Sequence, residues 1–237
     1  MPADTPKVAI VTGGSQGIGA GLVDAYRQRG YNLVATSRSI TPSDQSDVVT
    51  VAGDIADPAT SDAVVKAALD RFGRIDTLVN NAGIFIAKPF TDYTLEDYHR
   101  VLATNVNGFF NITHRTVPHL LDSGDGHIVT ITTTLVEYAD ARIPSVLASL
   151  TKGGLAAATR SLAIEYATRG LRVNAVAPGI TRTPLHDPST YEAVSTIQPN
   201  QKMSEISDIV DAVMYLEGAP HVTGETLHVD GGQIAGR

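Results

Sequence analysis

The fold of this chain is decided by residues 8–19, which read VAIVTGGSQGIG. The stretch begins with four apolar residues, typical of a buried β-strand, and leads into a segment with helical apolar spacing at Ile18, Leu22 and Ala25. A glycine-rich turn between a strand and a helix lets the backbone approach a pyrophosphate, while the helix N-terminus offers free N–H groups and a partial positive charge. The stretch therefore predicts a strand–turn–helix unit that binds a dinucleotide.

The three spaced glycines of this turn have separate roles in the prediction. Gly13 permits the tight turn, Gly17 allows the ligand to come close, and Gly19 lets the helix pack tightly against the strand. The simpler alternative is a tight turn without a ligand, but the strand before it and the helix after it favour cofactor binding. The candidate cofactor-binding residues of the turn are Gly13, Ser15, Gln16 and Ile18.

Further short apolar runs follow along the chain, separated by longer amphipathic stretches. Continuous runs of Val, Ile and Leu are typical of strands buried on both faces, as in a parallel sheet covered by helices. No repeat, low-complexity tract or linker divides the sequence. We therefore expect one α/β domain over residues 1–237, a Rossmann-like, doubly wound parallel sheet of about seven strands with helices on both faces. The runs are residues 8–11, 32–35, 48–51, 77–79, 127–131, 172–176 and 225–229, and the clearest helical segments are residues 17–29 and 58–72.

The composition excludes several classes of protein. With 43% apolar and 18% charged residues over 237 positions, the chain is expected to be globular. The absence of cysteine excludes disulfides, cysteine-ligated metals, iron–sulfur clusters and a cysteine nucleophile, and it fits a cytoplasmic protein. The seven histidines form no ligand-pair pattern with carboxylates, so no metal site is expected.

Charge and hydropathy narrow the range of partners. A formal net charge of −7, without a basic run to neutralise a row of phosphates, argues against nucleic acid. The chain lacks a run of ~18 apolar residues, so we expect no membrane span. Residues 1–7 lack the charged-then-apolar pattern of a signal peptide. These observations predict a soluble, intracellular, acidic single domain.

The choice between the two nicotinamide dinucleotides is expected at the end of the second strand. An acidic residue there would bind a ribose 2′-hydroxyl and repel a 2′-phosphate. This chain has Ser37 at that position, followed by Arg38. Because a guanidinium pairs with a phosphate through two parallel hydrogen bonds, the pair predicts NADP(H) over NAD(H). The alternative is that Arg38 is a solvated surface charge.

Motifs along nearly the whole chain resemble the classical short-chain dehydrogenase/reductase family. The glycine spacing Gly-x3-Gly-x-Gly matches that family, and the other motifs occur in its order: Asp54, NNAG at 80–83, NVNG at 105–108, PG at 178–179 and VDGG at 229–232. The resemblance implies an oxidoreductase that uses a nicotinamide dinucleotide and assembles as a homodimer or homotetramer. It also implies cofactor contacts from Asp54, Ile55, Asn81, Ala82, Gly83, Lys152, Pro178, Gly179, Ile180 and Thr183.

The resemblance also implies where the reaction centre lies. The family places a tyrosine and a lysine four residues apart on one helix face, and the lysine lowers the tyrosine pKa and holds the nicotinamide ribose. Here the lysine is Lys152, but Ala148 stands at the tyrosine position. Thr133 matches the serine that orients the carbonyl, and Asn105 matches the asparagine of a water-linked proton path.

A methyl group cannot donate a proton, so another donor is required for carbonyl reduction. Tyr138 is one candidate, although a surface or substrate-packing role is the simpler interpretation of it; Ser145, Ser149, His186 and a bound water are others. We hypothesise an NADP(H)-dependent oxidoreductase that reduces a carbonyl compound with a non-standard proton donor. The alternatives are a non-catalytic cofactor-binding homologue, acting as a sensor or scaffold, and a non-redox lyase or isomerase.

The substrate is expected to meet a loop at residues 182–202. This segment contains several prolines and no strong period, so it predicts either a mobile lid or a plain surface loop. Ile84, Phe85 and Ile86 predict an apolar wall beside it. Arg142 and His186 are able to meet an anion, but we interpret both as surface residues.

Overall fold

The computed structural model describes residues 5–236, so residues 1–4 of the segment tested for a signal peptide lie outside the described residues, as does residue 237. The described chain contains a seven-stranded sheet in the order β3-β2-β1-β4-β5-β6-β7, in which every neighbouring pair is parallel. The predicted doubly wound sheet is therefore confirmed. Its strands are β1 (Val8–Thr12), β2 (Asn32–Ser37), β3 (Val48–Ala52), β4 (Thr77–Asn80), β5 (His127–Ile131), β6 (Arg172–Pro178) and β7 (Thr226–Val229).

Residues 5–236 contain seven α-helices, and the longer ones cover the two faces of the sheet. A π-helical turn, Leu102–Asn107, joins the third helix to the fourth. Leu22 and Ile209 belong to the apolar core on one face, and Val64 and Ile112 belong to the core on the other. None of the helices in residues 5–236 is long and apolar enough to cross a bilayer. The helices are α1 (Gly17–Gln28), α2 (Pro58–Phe72), α3 (Leu95–Val101), α4 (Gly108–Ser123), α5 (Val146–Tyr166), α6 (Tyr191–Ser195) and α7 (Ile206–Glu217).

Local sequence explains why the clearest predicted helix has the bounds it has. Asp57 caps α2 by accepting a hydrogen bond from the N–H of Ala59 (2.9 Å), and Pro58 occupies the first turn, where no N–H is needed. At the other end Gly73 adopts the left-handed conformation (φ +77°), which favours glycine. The two ends of α2 are therefore fixed by residues within or beside the helix.

The predicted loop at residues 182–202 contains more regular structure than its sequence indicates. It holds a 3-10 turn at Pro188–Thr190 and the five-residue helix α6, both too short to show a period. Ile197 of this segment forms a small buried cluster with Ile180 and Met203, which lie just before and just after the segment. The segment is therefore a folded flap with its own apolar contacts.

A buried polar network lies at the opposite edge of the sheet, where the strands begin. The carboxylate of Glu217, the last residue of α7, accepts hydrogen bonds from Tyr26 (2.9 Å), Tyr31 (3.0 Å), Thr77 (3.1 Å) and His127 (2.9 Å). The Glu217 side chain is therefore buried among hydrogen-bond donors. Its four partners come from α1, the segment after it, β4 and β5, so the carboxylate ties α7 to the sheet.

Candidate functional site

A cavity of about 600 Å³ opens at the edge where the strands end. Segments that follow β1, β2, β3, β4, β5 and β6 all contribute to its wall. β1 is the point at which the strand order reverses, because β2 and β3 lie on one side of it and β4 lies on the other. Ligands of doubly wound sheets bind at this position, so the cavity is the candidate site.

The glycine turn forms one wall of this cavity. Gly13 and Gly17 have φ angles of +68° and +57°, which L side chains rarely adopt. A β-carbon on Gly19 would lie 2.1 Å from the carbonyl oxygen of Gly13, whereas the nearest atoms to one on Gly17 are 3.7 Å away. Gly19 therefore packs against the turn, and Gly17 leaves open space. The other predicted residues of the turn, Ser15, Gln16 and Ile18, also line the cavity.

A pair of polar side chains fixes the turn from the side. The Thr12 hydroxyl accepts hydrogen bonds from the N–H groups of Asn81 and Ala82, both at 3.0 Å. The Asn81 side chain donates to the carbonyl oxygens of Thr12 (2.9 Å) and Gly13 (3.2 Å). These bonds join the ends of β1 and β4, so Asn81 shapes the turn as well as lining the cavity.

The ends of β2 and β3 form another part of the wall. Ser37 lies here, and its hydroxyl oxygen is buried without a hydrogen-bond partner among the described residues. Arg38 is exposed beside it, and Asp54 is exposed at the neighbouring strand end. Ile55 packs closely against Gly108: a β-carbon on Gly108 would lie 2.7 Å from the Cγ2 atom of Ile55. A buried hydroxyl without a partner, next to a guanidinium, fits the ribose and phosphate of a nucleotide.

Lys152 reaches the cavity from α5. Its ammonium donates to the carbonyl oxygens of Ile131 (3.1 Å) and Thr132 (3.0 Å) at the end of β5. Burial lowers the pKa of Lys152 to about 8. Two of its three N–H groups are used by these carbonyls, and the side chain lines the cavity. The amine is therefore held at a fixed position with donor capacity to spare.

Asn105 lies next to Lys152, and its side-chain amide forms hydrogen bonds with the backbone of Ile84. Its Oδ1 accepts from the N–H of Ile84 (2.9 Å), and its Nδ2 donates to the carbonyl of Ile84 (3.1 Å) and to Thr151 (3.2 Å). A β-carbon on Gly83 would be 3.3 Å from Asn105 Oδ1 and 3.8 Å from Lys152 Nζ. Asn105 thus positions the segment after β4, and the π-helical turn of Leu102–Asn107 places it there.

The segment after β5 brings two threonines to the site. Thr133 lines the cavity, and its hydroxyl accepts only one long hydrogen bond, from the N–H of Leu135 (3.4 Å). Thr134 donates to the carboxylate of Asp230 (3.3 Å), which follows β7. The Asp230 carboxylate also accepts the N–H groups of Gly232 and Ile234, both at 2.9 Å. Asp230 therefore supports the site from behind.

The segment after β6 completes the wall. A β-carbon on Gly179 would lie 2.8 Å from the Cα atom of Asp230, so this position requires glycine for close approach. The carbonyl of Ile180 accepts a hydrogen bond from the buried side chain of Gln198 (2.7 Å). Pro178, Gly179, Ile180 and Thr183 all line the cavity as predicted residues of this segment.

The structure places three of the candidate proton donors, Tyr138, Ser145 and Ser149, away from the cavity wall. Ala148 is buried one helical turn before Lys152, and Tyr138 is half-buried with its N–H donating to the carbonyl of Thr134 (3.0 Å). Neither side chain is part of the cavity lining. Thr133 and Lys152 do share this lining, and Asn105 lies directly behind it.

Two residues interpreted as surface residues line the cavity instead. Arg142 donates to the carboxylate of Asp140 (2.5 Å), and His186 is half-buried in the flap, where burial lowers its pKa. Both follow strand ends, which is the one signal in the sequence that points to them. Within residues 5–236, no cluster of three or more His, Asp or Glu side chains converges in the way a metal ion would require.

Comparison with known proteins agrees with this geometry. A family model described as Enoyl-(Acyl carrier protein) reductase matches residues 13–233. The "3beta-hydroxysteroid dehydrogenase 1" of Eggerthella lenta is 34% identical, and the match covers 95% of this chain and 93% of the relative. The structure of a 3-ketoacyl-(acyl-carrier-protein) reductase from Brucella melitensis complexed with NADH is 30% identical, with a TM-score of 0.87 over 96% of this chain and 98% of that one. ElxO with NADP bound is 26% identical, with a TM-score of 0.90 over 98% of this chain and 100% of that one. The chain belongs to the classical short-chain dehydrogenase/reductase family.

Proposed function

We propose that this protein is an NADP(H)-dependent oxidoreductase that reduces a carbonyl compound. One observation carries the proposal: a single cavity joins the glycine turn at the start of α1 to the ammonium of Lys152 and the hydroxyl of Thr133. The first feature suits a pyrophosphate. The other two suit the oxygen of a carbonyl group, because both can donate a hydrogen bond to it.

The residues present fit a nicotinamide dinucleotide. The pyrophosphate would lie on the turn at Gly13 and Gly17, the adenine would contact Asp54 and Ile55, and the nicotinamide would lie near the residues after β6. The open space at Gly17 and the buried, unpartnered hydroxyl of Ser37 support this assignment. When bound, the cofactor supplies a hydride. The chain itself holds the reactants in the correct orientation. Such orientation can lower the activation free energy of a reaction by about 7–11 kcal/mol.

The preference for NADP(H) rests on Ser37 and Arg38. Neither residue carries the negative charge that would repel a 2′-phosphate, and Arg38 stands exposed at the rim where that phosphate would lie. A guanidinium can bind a phosphate through two parallel hydrogen bonds. The ElxO structure with NADP bound shows that a protein of very similar fold takes this cofactor.

The proton donor is proposed to be non-standard, because Ala148 stands one helical turn before Lys152, where the family has its tyrosine. In this proposal Thr133 orients the carbonyl oxygen, and Asn105 holds the backbone behind it. Tyr138 remains a candidate donor only if its phenol moves to the cavity. General acid catalysis is worth about 10²–10⁴-fold in rate, so a reductase without it would be slow.

The substrate is proposed to be a largely apolar ketone or aldehyde. Beside Thr133, the cavity wall is built from apolar side chains on three separate segments, and similar walls are typical of small-molecule sites. The names of the relatives include a hydroxysteroid dehydrogenase and a ketoacyl reductase, which act on different carbon skeletons. The apolar wall consists of Ile84, Phe85, Leu135, Ile143, Leu185, Val194 and Ile197.

The proposal is tested in two steps. First, NADPH and NADH are each titrated with the protein, and binding is followed by the fluorescence of the cofactor. The chain contains no tryptophan, so its own fluorescence background is low. Tight binding of NADPH and weak binding of NADH are expected. Second, the protein with NADPH is screened against ketones and aldehydes of increasing size for oxidation of NADPH at 340 nm. Absence of cofactor binding would overturn the proposal.

A second function is favoured by one observation, the buried methyl group of Ala148. A cofactor-binding sensor or scaffold would have no need of a proton donor at that position. The variant Ala148→Tyr separates the two functions. A gain in turnover of tenfold or more would indicate a working reductase site with a weak donor, whereas unchanged, undetectable turnover in both proteins would favour the sensor.

A further inference from the structure

Few side chains in the cavity wall can give up a proton. The titratable and charged side chains that line it are Arg38, Asp54, Arg142, Lys152 and His186. An arginine stays protonated in proteins, which removes two of the five. Asp54 lies at the end of β3, four strands away from β5, and its carboxylate accepts the N–H of Ala56 (3.0 Å). Lys152 and His186 are left as proton donors.

Of these two, Lys152 is the one fixed beside the carbonyl-binding hydroxyl. Its ammonium donates to the carbonyl oxygen of Thr132, the residue directly before Thr133. His186 sits on the flap and is anchored there through its backbone N–H, which donates to Thr183 (3.0 Å). The position of Lys152 is therefore set by β5 itself, and the position of His186 is set by a surface segment.

The surroundings of the Lys152 amine are polar but uncharged. β5 and the residue after it present two carbonyl oxygens, the π-helical turn presents the amide of Asn105, and the segment after β4 presents Gly83 and Ile84. None of these groups titrates. Among the described residues, no carboxylate forms an ion pair with the amine, so no negative charge holds its proton.

We propose that Lys152 is itself the general acid of the reduction, and this inference rests on the proposed function. The carbonyl carbon would receive the hydride that bound NADPH supplies as it is oxidised to NADP⁺, and the electron pair of the C=O π bond moves to the oxygen. That oxygen takes a proton from Nζ of Lys152, which leaves a neutral amine and an alcohol. The amine then regains a proton from water. In the reverse direction, the neutral amine removes the proton from an alcohol.

The protonation equilibrium of this amine suits the role. Burial lowers the pKa of Lys152 to about 8, near the pH at which a general acid works best. The two carbonyl acceptors keep the amine in place in either protonation state, because a neutral amine still carries two N–H donors. One lone pair is then free toward the cavity.

The first test measures the amine without any cofactor. Lysine labelled with ¹³C at Cε is followed by NMR from pH 6 to pH 11, and Lys152→Arg identifies the Lys152 signal by its loss. We expect one lysine to titrate near pH 8 and the others near their usual ~10.4. A Lys152 signal that titrates with the other lysines would overturn the inference.

The second test follows the proton in turnover. Lys152→Arg keeps the positive charge but cannot release a proton, so we expect kcat at saturating NADPH to fall 100-fold or more. Because Lys152 is also an expected cofactor contact, the NADPH Kd of the variant is measured separately. The matched control is Lys66→Arg, at an exposed lysine paired with Asp70 on α2. Turnover by Lys152→Ala should recover with added ethylammonium, at a rate that depends on the acidity of the added amine.

The outcomes separate the inference from the proposed function. If the wild-type protein binds NADPH but reduces no carbonyl compound, the proposed function fails and the inference fails with it. If the wild-type protein is active and Lys152→Arg is equally active, only the inference fails. The inference that Lys152 is the general acid would also be overturned by the pH–rate profiles of the variants. This is the case if the basic limb remains in Lys152→Arg and disappears in His186→Gln or in Tyr138→Phe, because the donor would then be His186 or Tyr138.

Discussion

A β-carbon on Gly19 would stand 2.1 Å from the carbonyl oxygen of Gly13, far inside van der Waals contact. The first turn of α1 therefore lies directly on the turn that precedes it. The same β-carbon would be 2.6 Å from Nδ2 of Asn81, the side chain that fixes the turn to β4. One glycine thus sets the distance between the helix N-terminus and the ends of two strands.

Gly19→Ala is expected to weaken NADPH binding at least 100-fold, because the helix must move away from the turn. The measurement is the NADPH Kd from cofactor fluorescence, with circular dichroism to report the folded fraction. The matched control is Gly154→Ala in α5, where the new β-carbon would have no atom within 4 Å from the described residues that pack around its helix. That control should keep its NADPH affinity and gain about 0.5–1 kcal/mol in stability. Equal affinities in the two variants would contradict the role of Gly19.

Arg38→Ala is expected to raise the Kd for NADPH by about 10- to 100-fold and to leave NADH binding unchanged. The reason is that NADPH loses one charge-assisted hydrogen-bond contact to its phosphate, worth ~1.5–3 kcal/mol. Ser37→Asp should reverse the preference, because a carboxylate would repel the 2′-phosphate and bind the 2′-hydroxyl. Both effects are read from paired NADPH and NADH titrations. Arg71→Ala, at an exposed arginine on α2, is the charge control. A parallel loss of both affinities in Arg38→Ala would refute the selectivity argument.

Glu217→Ala is expected to lower the free energy of unfolding by about 3–5 kcal/mol, because it leaves buried donors without an acceptor. The measurement is urea unfolding at pH 7. The exposed Glu225 provides the control variant, Glu225→Ala, which should change stability by less than about 0.5 kcal/mol. Similar midpoints for the two variants would contradict the importance of the buried network.

The same network should make the protein sensitive to acid. Burial alone would raise the pKa of Glu217, but hydrogen bonds from His127, Tyr26 and Tyr31 outweigh it and lower that pKa to about 2. The stability contributed by Glu217 is therefore complete above its ordinary pKa of 4.5 and is lost as the pH falls toward 2.

His127 adds to this sensitivity in a higher pH range. Asn174 donates from Nδ2 to the carbonyl of Val222 (2.9 Å) and to Nε2 of His127 (3.1 Å), so His127 is neutral and donates through Nδ1 to Glu217. Burial lowers the pKa of His127, and stability begins to fall as the pH drops below its ordinary 6.5. Urea midpoints measured from pH 7 to pH 3 should decline steadily in the wild type and less steeply below pH 4.5 in Glu217→Gln.

The exposed apolar side chains of α4 and α5 are expected to form the interface of the proposed homo-oligomer. Phe110, Leu150 and Ile164 are each more than half exposed on these two helices, which pack on the same face of the sheet. Phe110→Glu combined with Ile164→Glu should give a monomer in size-exclusion chromatography with light scattering. Tyr215→Glu, on α7 at the other face, is the control. Dissociation by the control alone would assign the interface to α7.

The sequence by itself determined the features that depend on local patterns. Continuous apolar runs marked the seven strands, because a strand covered on both faces has no polar side. The glycine spacing marked the turn, because Gly13 and Gly17 adopt angles that other residues avoid, and Asp57 and Gly73 fixed the ends of α2. Lys152 was identified through the resemblance of its segment to the tyrosine–lysine motif of the family, which has Ala148 in place of the tyrosine here.

Only the tertiary structure decided which groups that are distant in sequence come into contact or line the same cavity. Glu217 is the last residue of an amphipathic helix, and nothing near it in sequence indicates that four donors from other elements converge on its carboxylate. Arg142 and His186 were interpreted as surface residues, yet both line the cavity. The role of Asn105 in a proton path stays a prediction, and only the structure shows that its side-chain amide also holds the backbone of Ile84. The physical reason is the same in each case: secondary structure follows from interactions within a few residues, whereas burial and partnership depend on how the whole sheet brings its strand ends together.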